Sequence, residues 1–365
     1  MDRKFITPKD ITDALRDVCY PGSDENIVSM DMVQEIRIAG GKVSFSLVFQ
    51  RSDDPDTEEL VKRCKEKIVQ TFAGVDVTIS VKAIHNMERP ILPGVKNIIA
   101  IASGKGGVGK STVAVNLAVA LAKSKARVGL IDADIFGPSI PKMFGAEGAM
   151  PTGDVVDGRE VIQPIEKYGV KILSIGFFVK PDDALVWRGP MASNALKQII
   201  VQGDWGELDY LLIDLPPGTS DIHLTLMQTV PVTGAIIVTT PQDVALADVI
   251  KGINMFRSKT IDVPVLGLVE NMAWFTPAEL PMNKYYIFGK DGGKRLAEQF
   301  DVPLLGQIPL VQSIREGGDE GLPVADNADS QTGRSFFELA LATIEQLELR
   351  NQNLDPSQRV KVTKR

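Results

Sequence analysis

Gly104-Lys105-Gly106-Gly107-Val108-Gly109-Lys110-Ser111 is the stretch of this 365-residue chain that decides its fold. It fits the pattern G-x-x-x-x-G-K-[ST], and it lies between a predicted strand at residues 97–102 and a predicted helix carrying Val113, Leu117 and Leu121. A glycine-rich loop in that position turns backbone N–H groups and the positive end of the helix toward an anion. The sequence therefore predicts a phosphate-binding loop, or P-loop.

The last residues of the loop have separate predicted tasks. Lys110 is expected to bridge the β- and γ-phosphates of a nucleotide, and the Ser111 hydroxyl is expected to ligate Mg²⁺. Thr112 lies one step deeper, near the α-phosphate. The alternative is a glycine-rich turn that binds no ligand.

Short apolar runs, each followed by a helical stretch, extend from the loop in both directions along residues 96–350. Such strands are buried on both faces, which is typical of a parallel sheet covered by helices. The predicted fold class is therefore α/β, a doubly wound and mostly parallel sheet, with a last helix at residues 335–349 and a frayed tail at 351–365. The predicted strands are residues 97–102, 127–131, 170–175, 210–213, 235–238, 263–269 and 303–308.

The first 85 residues predict a separate small α+β domain with the element order α-β-β-α-β. Thr7-Pro8-Lys9-Asp10 is a helix start, and that helix is expected to run to about residue 18. Alternation on both sides of Gly40-Gly41 predicts a hairpin, and a helical stripe around Cys64 precedes a last strand at residues 75–81. Residues 86–95 are predicted to be a linker.

Composition excludes several classes of protein. Forty basic and 47 acidic residues give a net charge of −7, which argues against a nucleic-acid-binding surface. The chain has no apolar run of about 18 residues and no apolar signal segment near its start, so we expect a cytoplasmic protein without a membrane partner. Its two cysteines, Cys19 and Cys64, can form one disulfide or half a metal site, but not a four-thiolate site.

Acidic residues follow two more of the predicted strands. Asp132 and Asp134 end the second run, Asp214 ends the fourth, and the carboxyl ends of parallel strands meet at one edge of the sheet. Asp214 is predicted to hold Mg²⁺ through water, and Gly218 to offer its N–H to the γ-phosphate. The alternative is that these acids only cap the ends of strands.

The second lysine of the loop, Lys105, resembles that of the deviant Walker A motif K-G-G-x-G-K-[ST] of MinD/ParA-type ATPases. In those proteins it reaches the nucleotide of the neighbouring subunit, so the resemblance implies a homodimer that encloses ATP; the alternative is a solvated lysine. The same resemblance implies that Asp134 orients the attacking water and that Asp132 supports it. The implied catalytic residues are Lys105, Lys110, Asp134 and Asp132.

Two later segments resemble the part of these ATPases that surrounds the base. Asn271 stands where related proteins place an asparagine that reads adenine, and Pro309 lies in a Gln-Ile-Pro sequence similar to the loop beside the base. An asparagine at a strand end is otherwise a common turn residue.

The full set of motifs closely resembles the Mrp/ApbC family over residues 96 to about 345. The resemblance implies an ATPase with ATP and Mg²⁺ as cofactors, a [4Fe–4S] cluster as the carried group, and transfer of clusters to apo iron–sulfur proteins or assembly factors. Residues 1–85 resemble a SufT/PaaD-like domain, although its V-x-D-P-E turn reads Val18-Cys19-Tyr20-Pro21-Gly22 here. The motifs are Asp-Ala-Asp-Ile-Phe-Gly-Pro-Ser (132–139), Trp187-Arg188-Gly189-Pro190-Met191, Asp-Leu-Pro-Pro-Gly-Thr-Ser-Asp (214–221), Val269-Glu270-Asn271-Met272 and Ile287-Phe288-Gly289.

The cysteine pair of that family, C-P-x-C or C-x-x-C, is missing. Residues 273–286, where the pair would stand, contain neither cysteine nor histidine. Cys64, on the apolar stripe of a helix, is predicted to be an inert core thiol, and Cys19 is the better candidate for a cluster ligand or else a plain thiol. His85 and His223 have no partner at metal-ligand spacing.

Four function classes remain to be compared. The first is an ATP-hydrolysing dimeric cluster carrier, and the second is a nucleotide-switched interaction ATPase without a cluster, with residues 273–286 as its partner face. Positioning of DNA or of the division plane is disfavoured by the acidic last helix and the net charge. A metabolic P-loop enzyme is disfavoured by the Mrp-specific motifs.

Overall fold

The structure is a computed structural model of the chain, which divides into two compact units, Met1–Pro90 and Ile91–Arg365. Trp187, Arg188 and Phe136 of the quoted motifs, Ala278 and Pro281 of the segment 273–286, residues 86–90 of the predicted linker and residues 361–365 of the predicted tail lie outside the described residues. The described residues are 6–23, 25–39, 42–51, 54–72, 74–85, 91–135, 137–156, 159–178, 189–277, 279–280 and 282–360.

The first unit has the predicted order α-β-β-α-β. Strand β2 pairs antiparallel with β1 and parallel with β3, so β2 is central in a three-stranded sheet. Buried residues of both helices, Cys64 among them, pack in one core with those of the sheet. The elements are α1 (Pro8–Leu15), β1 (Val33–Ala39), β2 (Lys42–Arg51), α2 (Thr57–Thr71) and β3 (Asp76–His85).

Helix α1 begins where the sequence predicts and ends earlier. The Thr7 side chain accepts from the Asp10 N–H while the Asp10 carboxylate accepts from the Thr7 N–H, so two unpaired donors of the first turn are satisfied. The helix ends at Leu15 rather than near Val18, because Val18 and the following residues turn into a bridge between Cys19 and Asn26.

The second unit alternates strands and helices from Val95 onward. All seven predicted strands are present, and their bounds lie within two residues of the predicted ones except at the end of the sixth, which runs to Phe275 instead of residue 269. The last helix extends to both sides of residues 335–349. The elements are β4 (Val95–Ser103), α3 (Lys110–Lys123), β5 (Val128–Asp132), α4 (Ile140–Met143), β6 (Thr152–Val156), β7 (Arg159–Gln163), β8 (Ile165–Lys167), β9 (Val170–Ser174), α5 (Gly189–Gln202), β10 (Leu208–Asp214), α6 (Asp221–Thr229), β11 (Gly234–Thr239), α7 (Asp243–Phe256), β12 (Val265–Phe275), α8 (Gly292–Phe300), β13 (Leu304–Leu310), α9 (Gln312–Glu320) and α10 (Gln331–Asn353).

Eight of these strands form one sheet in the order β13-β12-β11-β4-β10-β5-β9-β8. Every neighbouring pair is parallel except β8 with β9 at one edge, which confirms the predicted mostly parallel sheet. Strand β8 and the separate two-stranded sheet of β6 and β7 were not predicted. Strands β6 and β8 lack the buried apolar runs that mark the others.

Both faces of the large sheet are covered. Along β4, residues 98, 100 and 102 belong to one apolar cluster with helices α5, α6, α7 and α8, and residues 99 and 101 to a second cluster with α3 and α10. Alternate side chains of a strand point to opposite faces, so this central strand is buried on both sides. No helix in the described ranges is both long and apolar enough to cross a bilayer.

The P-loop is packed closely against the backbone of α7. A Cβ atom added at Gly104 would lie 2.5 Å from the Asp248 carbonyl carbon and 2.7 Å from the Val249 nitrogen, whereas one added at Gly106 would meet only Pro217 Cγ at 3.8 Å. Gly104 therefore fixes the approach of β4 and α7, and Gly106 has room for a side chain.

We expect Gly104→Ala to lower the free energy of unfolding of the nucleotide-free protein by about 1–3 kcal/mol, because the added methyl group overlaps backbone atoms that cannot move aside cheaply. Gly106→Ala is the matched control from the same loop and should unfold close to wild type. The measurement is thermal or urea unfolding of both variants. Equal stabilities would contradict the close packing of Gly104 on α7.

Candidate nucleotide site

The P-loop joins the end of β4 to the start of α3 at the carboxyl edge of the sheet. Gly107 and Gly109 both have φ of +80°, a left-handed backbone conformation that residues other than glycine rarely adopt. The Asn271 Nδ2 group donates to the Val108 carbonyl at 2.8 Å, so a side chain of β12 holds the loop in place. Backbone N–H groups at the start of α3 are thereby set to bind an anion.

Lys110, Ser111 and Asp214 form the charged centre of the site. Lys110 Nζ lies 2.7 Å from Asp214 Oδ1, and the Ser111 hydroxyl donates to Asp214 Oδ2 at 2.5 Å. The Lys110 side chain is 6% exposed and that of Asp214 is 0% exposed. A hydroxyl and a carboxylate oxygen are hard ligands of the kind that Mg²⁺ takes together with phosphate oxygens, so Ser111 and Asp214 fit a magnesium site.

Asp132 and Asp134 lie beside this centre. Asp132 is paired with Asp214 across β5 and β10, and it accepts from the N–H of Asp134 at 3.1 Å and from the Ser174 hydroxyl at 3.0 Å. Asp134 Oδ2 lies 3.9 Å from Lys110 Nζ. Asp132 is fully enclosed and holds Asp134 through the backbone, whereas Asp134 is the more accessible of the two carboxyl groups.

Burial raises the pKa of both enclosed carboxyl groups. Burial, followed by the charge of Asp214, raises the pKa of Asp132 to about 7, although the Ser174 hydroxyl opposes the shift. Burial also raises the pKa of Asp214, but the ammonium and hydroxyl groups of Lys110 and Ser111 oppose it. Asp214, with a cation at hydrogen-bond distance, is the one that keeps its charge.

Gly218 lies in the loop that leads from β10 to α6. Its φ is +81°, and its N–H donates to the Ser103 carbonyl at 2.9 Å. In this conformation the N–H predicted for the γ-phosphate is already engaged with the end of β4. A contact between Gly218 and a phosphate therefore requires this hydrogen bond to open.

Next to the P-loop lies a cavity of about 370 Å³ with a predominantly apolar wall. Asn271 and Pro309, both proposed from the sequence to surround the base, line it together with Gly109 and Thr112. Because the Asn271 amide nitrogen is bound to Val108, its carbonyl oxygen remains as the acceptor of that side chain. A smaller cavity of about 190 Å³ is lined by residues 103, 105–112, 134, 139, 143 and 217.

Lys105 lines the smaller cavity and is half-buried. In the described part of the chain no hydrogen bond or ion pair involves its ammonium group, in contrast to that of Lys110. The structure thus brings ten of the sequence-predicted P-loop and acidic residues to one edge of the sheet. The Lys105 ammonium group contacts none of their charged groups. These ten are Gly104, Gly106, Gly107, Val108, Gly109, Lys110, Ser111, Asp132, Asp134 and Asp214.

The two thiols lie in the other unit. Cys64 is buried in the core of α2, and burial raises the pKa of its thiol to about 12; Cys19 is exposed. Neither is part of a group of three or more histidine, cysteine or carboxylate residues, and the described residues contain no such group that could hold a metal ion.

Sequence reasoning missed several polar side chains at the same edge of the sheet. Ser174 ends β9 beside Asp132, and the strand-end rule that found the aspartates would have found it too. Glu270, next to Asn271, is the last residue of β12 that pairs with β11. Its carboxylate accepts hydrogen bonds from the Gly293 N–H and from Gln307 Nε2, so it links β12 to α8 and β13. No sequence pattern identifies that contact.

Comparison with known proteins identifies the family of this chain. Residues 94–344 match the family described as NUBPL iron-transfer P-loop NTPase. The chain belongs to that family. The match covers more than half of the chain, which confirms the resemblance to Mrp/ApbC proteins found from the motifs. Residues 8–81 match a second family, described as iron-sulfur cluster assembly protein.

Individual relatives of this NUBPL-type chain agree in sequence and fold. It is 47% identical to a Synechocystis protein named iron-sulfur cluster carrier protein, over 92% of this chain and 96% of the relative. It is 46% identical to a Dictyostelium discoideum protein named iron-sulfur cluster transfer protein NUBPL, over 72% of this chain and 80% of the relative. A solved nucleotide-binding protein of Archaeoglobus fulgidus in complex with ADP is 37% identical, with a TM-score of 0.57 over 68% of this chain and 93% of that one.

We expect Asp132→Asn to gain stability relative to wild type as the pH rises from about 5 to about 8. A carboxyl group whose pKa is raised on folding stabilises the folded state while protonated, and that contribution is lost as the pH rises through the window from its unfolded value to about 7. The asparagine keeps an uncharged side chain, so the difference should grow by about 1–3 kcal/mol.

The measurement is thermal unfolding of the nucleotide-free protein at several pH values. Asp301→Asn, at an exposed carboxyl group, serves as the control and should follow wild type. A difference for Asp132→Asn that stays constant with pH would contradict the raised pKa of Asp132.

Proposed function

We propose that this chain is an ATP-binding and ATP-hydrolysing carrier that delivers iron–sulfur clusters to apo-proteins. The observation that carries the proposal is the P-loop site of Lys110, Ser111 and Asp214 within a chain of the NUBPL iron-transfer family. The printed names of the Synechocystis and Dictyostelium relatives, which describe cluster carriage and transfer, support the same cargo.

The site supports ATP binding through exchange of partners at Lys110. Asp214 holds the ammonium group inside the site before nucleotide arrives, and the β- and γ-phosphates then take it over. Asp214 and Ser111 are then available to Mg²⁺, which supplies charge neutralisation at the phosphates when bound. Gly109, Thr112, Asn271 and Pro309 would surround the ribose and base in the 370 Å³ cavity.

Asp134 is the residue that we propose for the attacking water. Its backbone N–H is fixed by Asp132, and its carboxylate lies 3.9 Å from the Lys110 ammonium group, next to the position that the γ-phosphate would take. A carboxylate there can accept a hydrogen bond from water and orient it. Asp132 contributes by holding Asp134 in position.

We further propose a homodimer in which Lys105 contacts the nucleotide of the partner subunit. The uncommitted ammonium group of Lys105 at the cavity wall supports this role, because a cation supplied across an interface stabilises the charge of a phosphoryl-transfer transition state. A cytoplasmic location suits two cysteines that form no disulfide, because thiols persist in a reducing compartment.

A second candidate is a nucleotide-switched interaction ATPase without a cluster. The segment 273–286 supports it, since it contains no thiol and its described part exposes large apolar side chains, with Met282 at 91% exposure. The two ends of the segment contact each other: Phe275 and Tyr285 exchange backbone hydrogen bonds, and Lys284 Nζ lies 3.7 Å from the Trp274 ring centroid. An apolar surface of this kind suits a protein partner.

The P-loop lysines should separate binding from hydrolysis. MgATP at 100-fold saturation should stabilise wild type by about 2.7 kcal/mol in thermal unfolding, and Lys110→Ala should lose this protection. Lys105→Ala should keep the protection and lose turnover, by about 10³-fold in phosphate release. The exposed Lys294→Ala of α8 is the control and should retain both. Protection that persists in Lys110→Ala would refute the loop assignment, and wild-type hydrolysis by Lys105→Ala would refute the dimer.

Cluster carriage should depend on Cys19 and not on Cys64. Anaerobic reconstitution with iron and sulfide should load the wild-type protein, and the loaded protein should restore an apo iron–sulfur enzyme. Cys19→Ser should lose most of its bound iron, because Cys19 is the exposed thiol, whereas Cys64→Ala should load normally, because a buried thiol with a raised pKa does not offer a thiolate.

Iron and sulfide analysis of the three proteins, with circular dichroism to confirm folding, gives the result. A wild-type protein that stays free of iron, while it hydrolyses ATP, would favour the interaction ATPase over the carrier. Equal loading of Cys19→Ser and wild type would exclude Cys19 as a ligand.

A further inference from the structure

His223 is a buried histidine to which the proposed ATPase mechanism gives no task. It lies in the first turn of α6, directly after the loop that carries Gly218, and its side chain is 0% exposed. The Ser220 N–H donates to its Nδ1 at 3.2 Å. Its Nε2 atom is also buried and has no hydrogen-bond partner among the described residues.

These contacts fix the state of the imidazole ring. Nδ1 accepts a hydrogen bond from a backbone N–H, so it carries no proton, and the proton of the neutral ring is on Nε2. Burial lowers the pKa of His223 to about 4; the backbone of Ser220 opposes this shift and the Lys110 ammonium group adds to it. The ring is therefore neutral at physiological pH. His223 therefore presents a buried N–H donor that has no acceptor in the described part of the chain.

The loop before His223 is held at both of its ends. At the start, Asp214 is bound to Lys110 and Ser111, and the Leu215 N–H donates to the Ile101 carbonyl at 3.0 Å. At the end, Ser220 is bound to His223. Residues 216–219 lie between these anchors, and the Gly218 N–H within them has to leave the Ser103 carbonyl before it can reach a phosphate.

We propose that His223 is a positioning residue for this loop, and that its Nε2–H gains an acceptor from residues 216–219 when the loop moves to meet the γ-phosphate. The unpaired donor destabilises the nucleotide-free conformation, since a buried N–H without an acceptor has lost its hydrogen bond to water. Pairing it in the other conformation lowers the free energy of the loop movement. Nucleotide and histidine thus favour the same state.

The simpler interpretation is that His223 only caps α6. The Ser220–His223 contact is a capping arrangement, and it accounts for Nδ1. It does not account for the buried Nε2–H, which has no acceptor among the described residues. The two interpretations differ in one measurable respect, because only the positioning role makes the environment of Nε2 depend on nucleotide.

Nuclear magnetic resonance tests this directly, because the chain has only two histidines, His85 and His223. In full-length His85→Gln protein labelled with ¹⁵N-histidine, all ring signals belong to His223. They should show a neutral Nε2–H tautomer between about pH 5.5 and 8. The Nε2 proton should move downfield when MgADP with aluminium fluoride, a mimic of the transferring phosphate, is added, and should not move with MgADP alone.

Kinetics provide the second arm. His223→Asn keeps a side-chain oxygen near the position of Nδ1 and removes the Nε2 donor, so it should bind MgADP as wild type does and lower kcat by on the order of tenfold with little change in KM. His223→Gln is the matched variant: it keeps a donor near the position of Nε2 and should retain more of kcat than His223→Asn, although it loses the acceptor for Ser220.

The outcomes are separable from the proposed ATPase function, on which this inference rests. An unchanged Nε2 proton on addition of the fluoride complex would overturn the proposal, as would wild-type kcat in His223→Asn. If wild type binds the fluoride complex but hydrolyses no ATP, the ATPase proposal fails while a downfield Nε2 shift still supports the positioning role. If His223→Asn does not fold, the spectra of the His85→Gln protein decide alone.

Discussion

The buried ion pair between Lys110 and Asp214 is the contact on which the rest of the nucleotide site depends. Both groups are almost completely enclosed, and their atoms are 2.7 Å apart. Removal from water is unfavourable for each charge, so either partner alone would leave a costly unpaired charge in the interior. The pair therefore fixes the start of α3 against the end of β10. Ser111, Asp132 and Asp134 lie around it.

The same pair explains why the neighbouring acid is different. Asp132 is paired with Asp214 across β5 and β10 and forms no ion pair with a described residue. Three hydrogen-bond donors, from Ser174, Asp134 and Ile140, only partly offset its burial. A single ammonium group cannot compensate two buried carboxylates. Asp132 is thus suited to hold backbone in position, and the role proposed for the attacking water falls to Asp134, which is nearer to solvent.

Sequence reasoning could predict the parts of this site that are local or that follow from strand direction. The P-loop is contiguous, and Asp132 and Asp214 each end an apolar run, so the parallel sheet brings them together. It could not predict that Asn271 donates to Val108, 163 residues away, or that Gly218 is bound to Ser103, because such contacts depend on side-chain direction and packing. Strands β6 and β8 escaped prediction because exposed strands have no apolar pattern.

The division of chemistry between the two units limits how a cluster can be held. The nucleotide site lies entirely in Ile91–Arg365, whereas both thiols lie in Met1–Pro90, and one of them is buried with a raised pKa. A pair of identical chains therefore offers two exposed thiols, and four-thiolate ligation would require the core of each first unit to open. A cluster carried by such a pair needs other ligands, from non-thiol side chains or from a second molecule. Ligands of the second kind would leave with the recipient, and release would then be a ligand exchange that a conformational change in the P-loop unit can trigger without supplying any ligand itself.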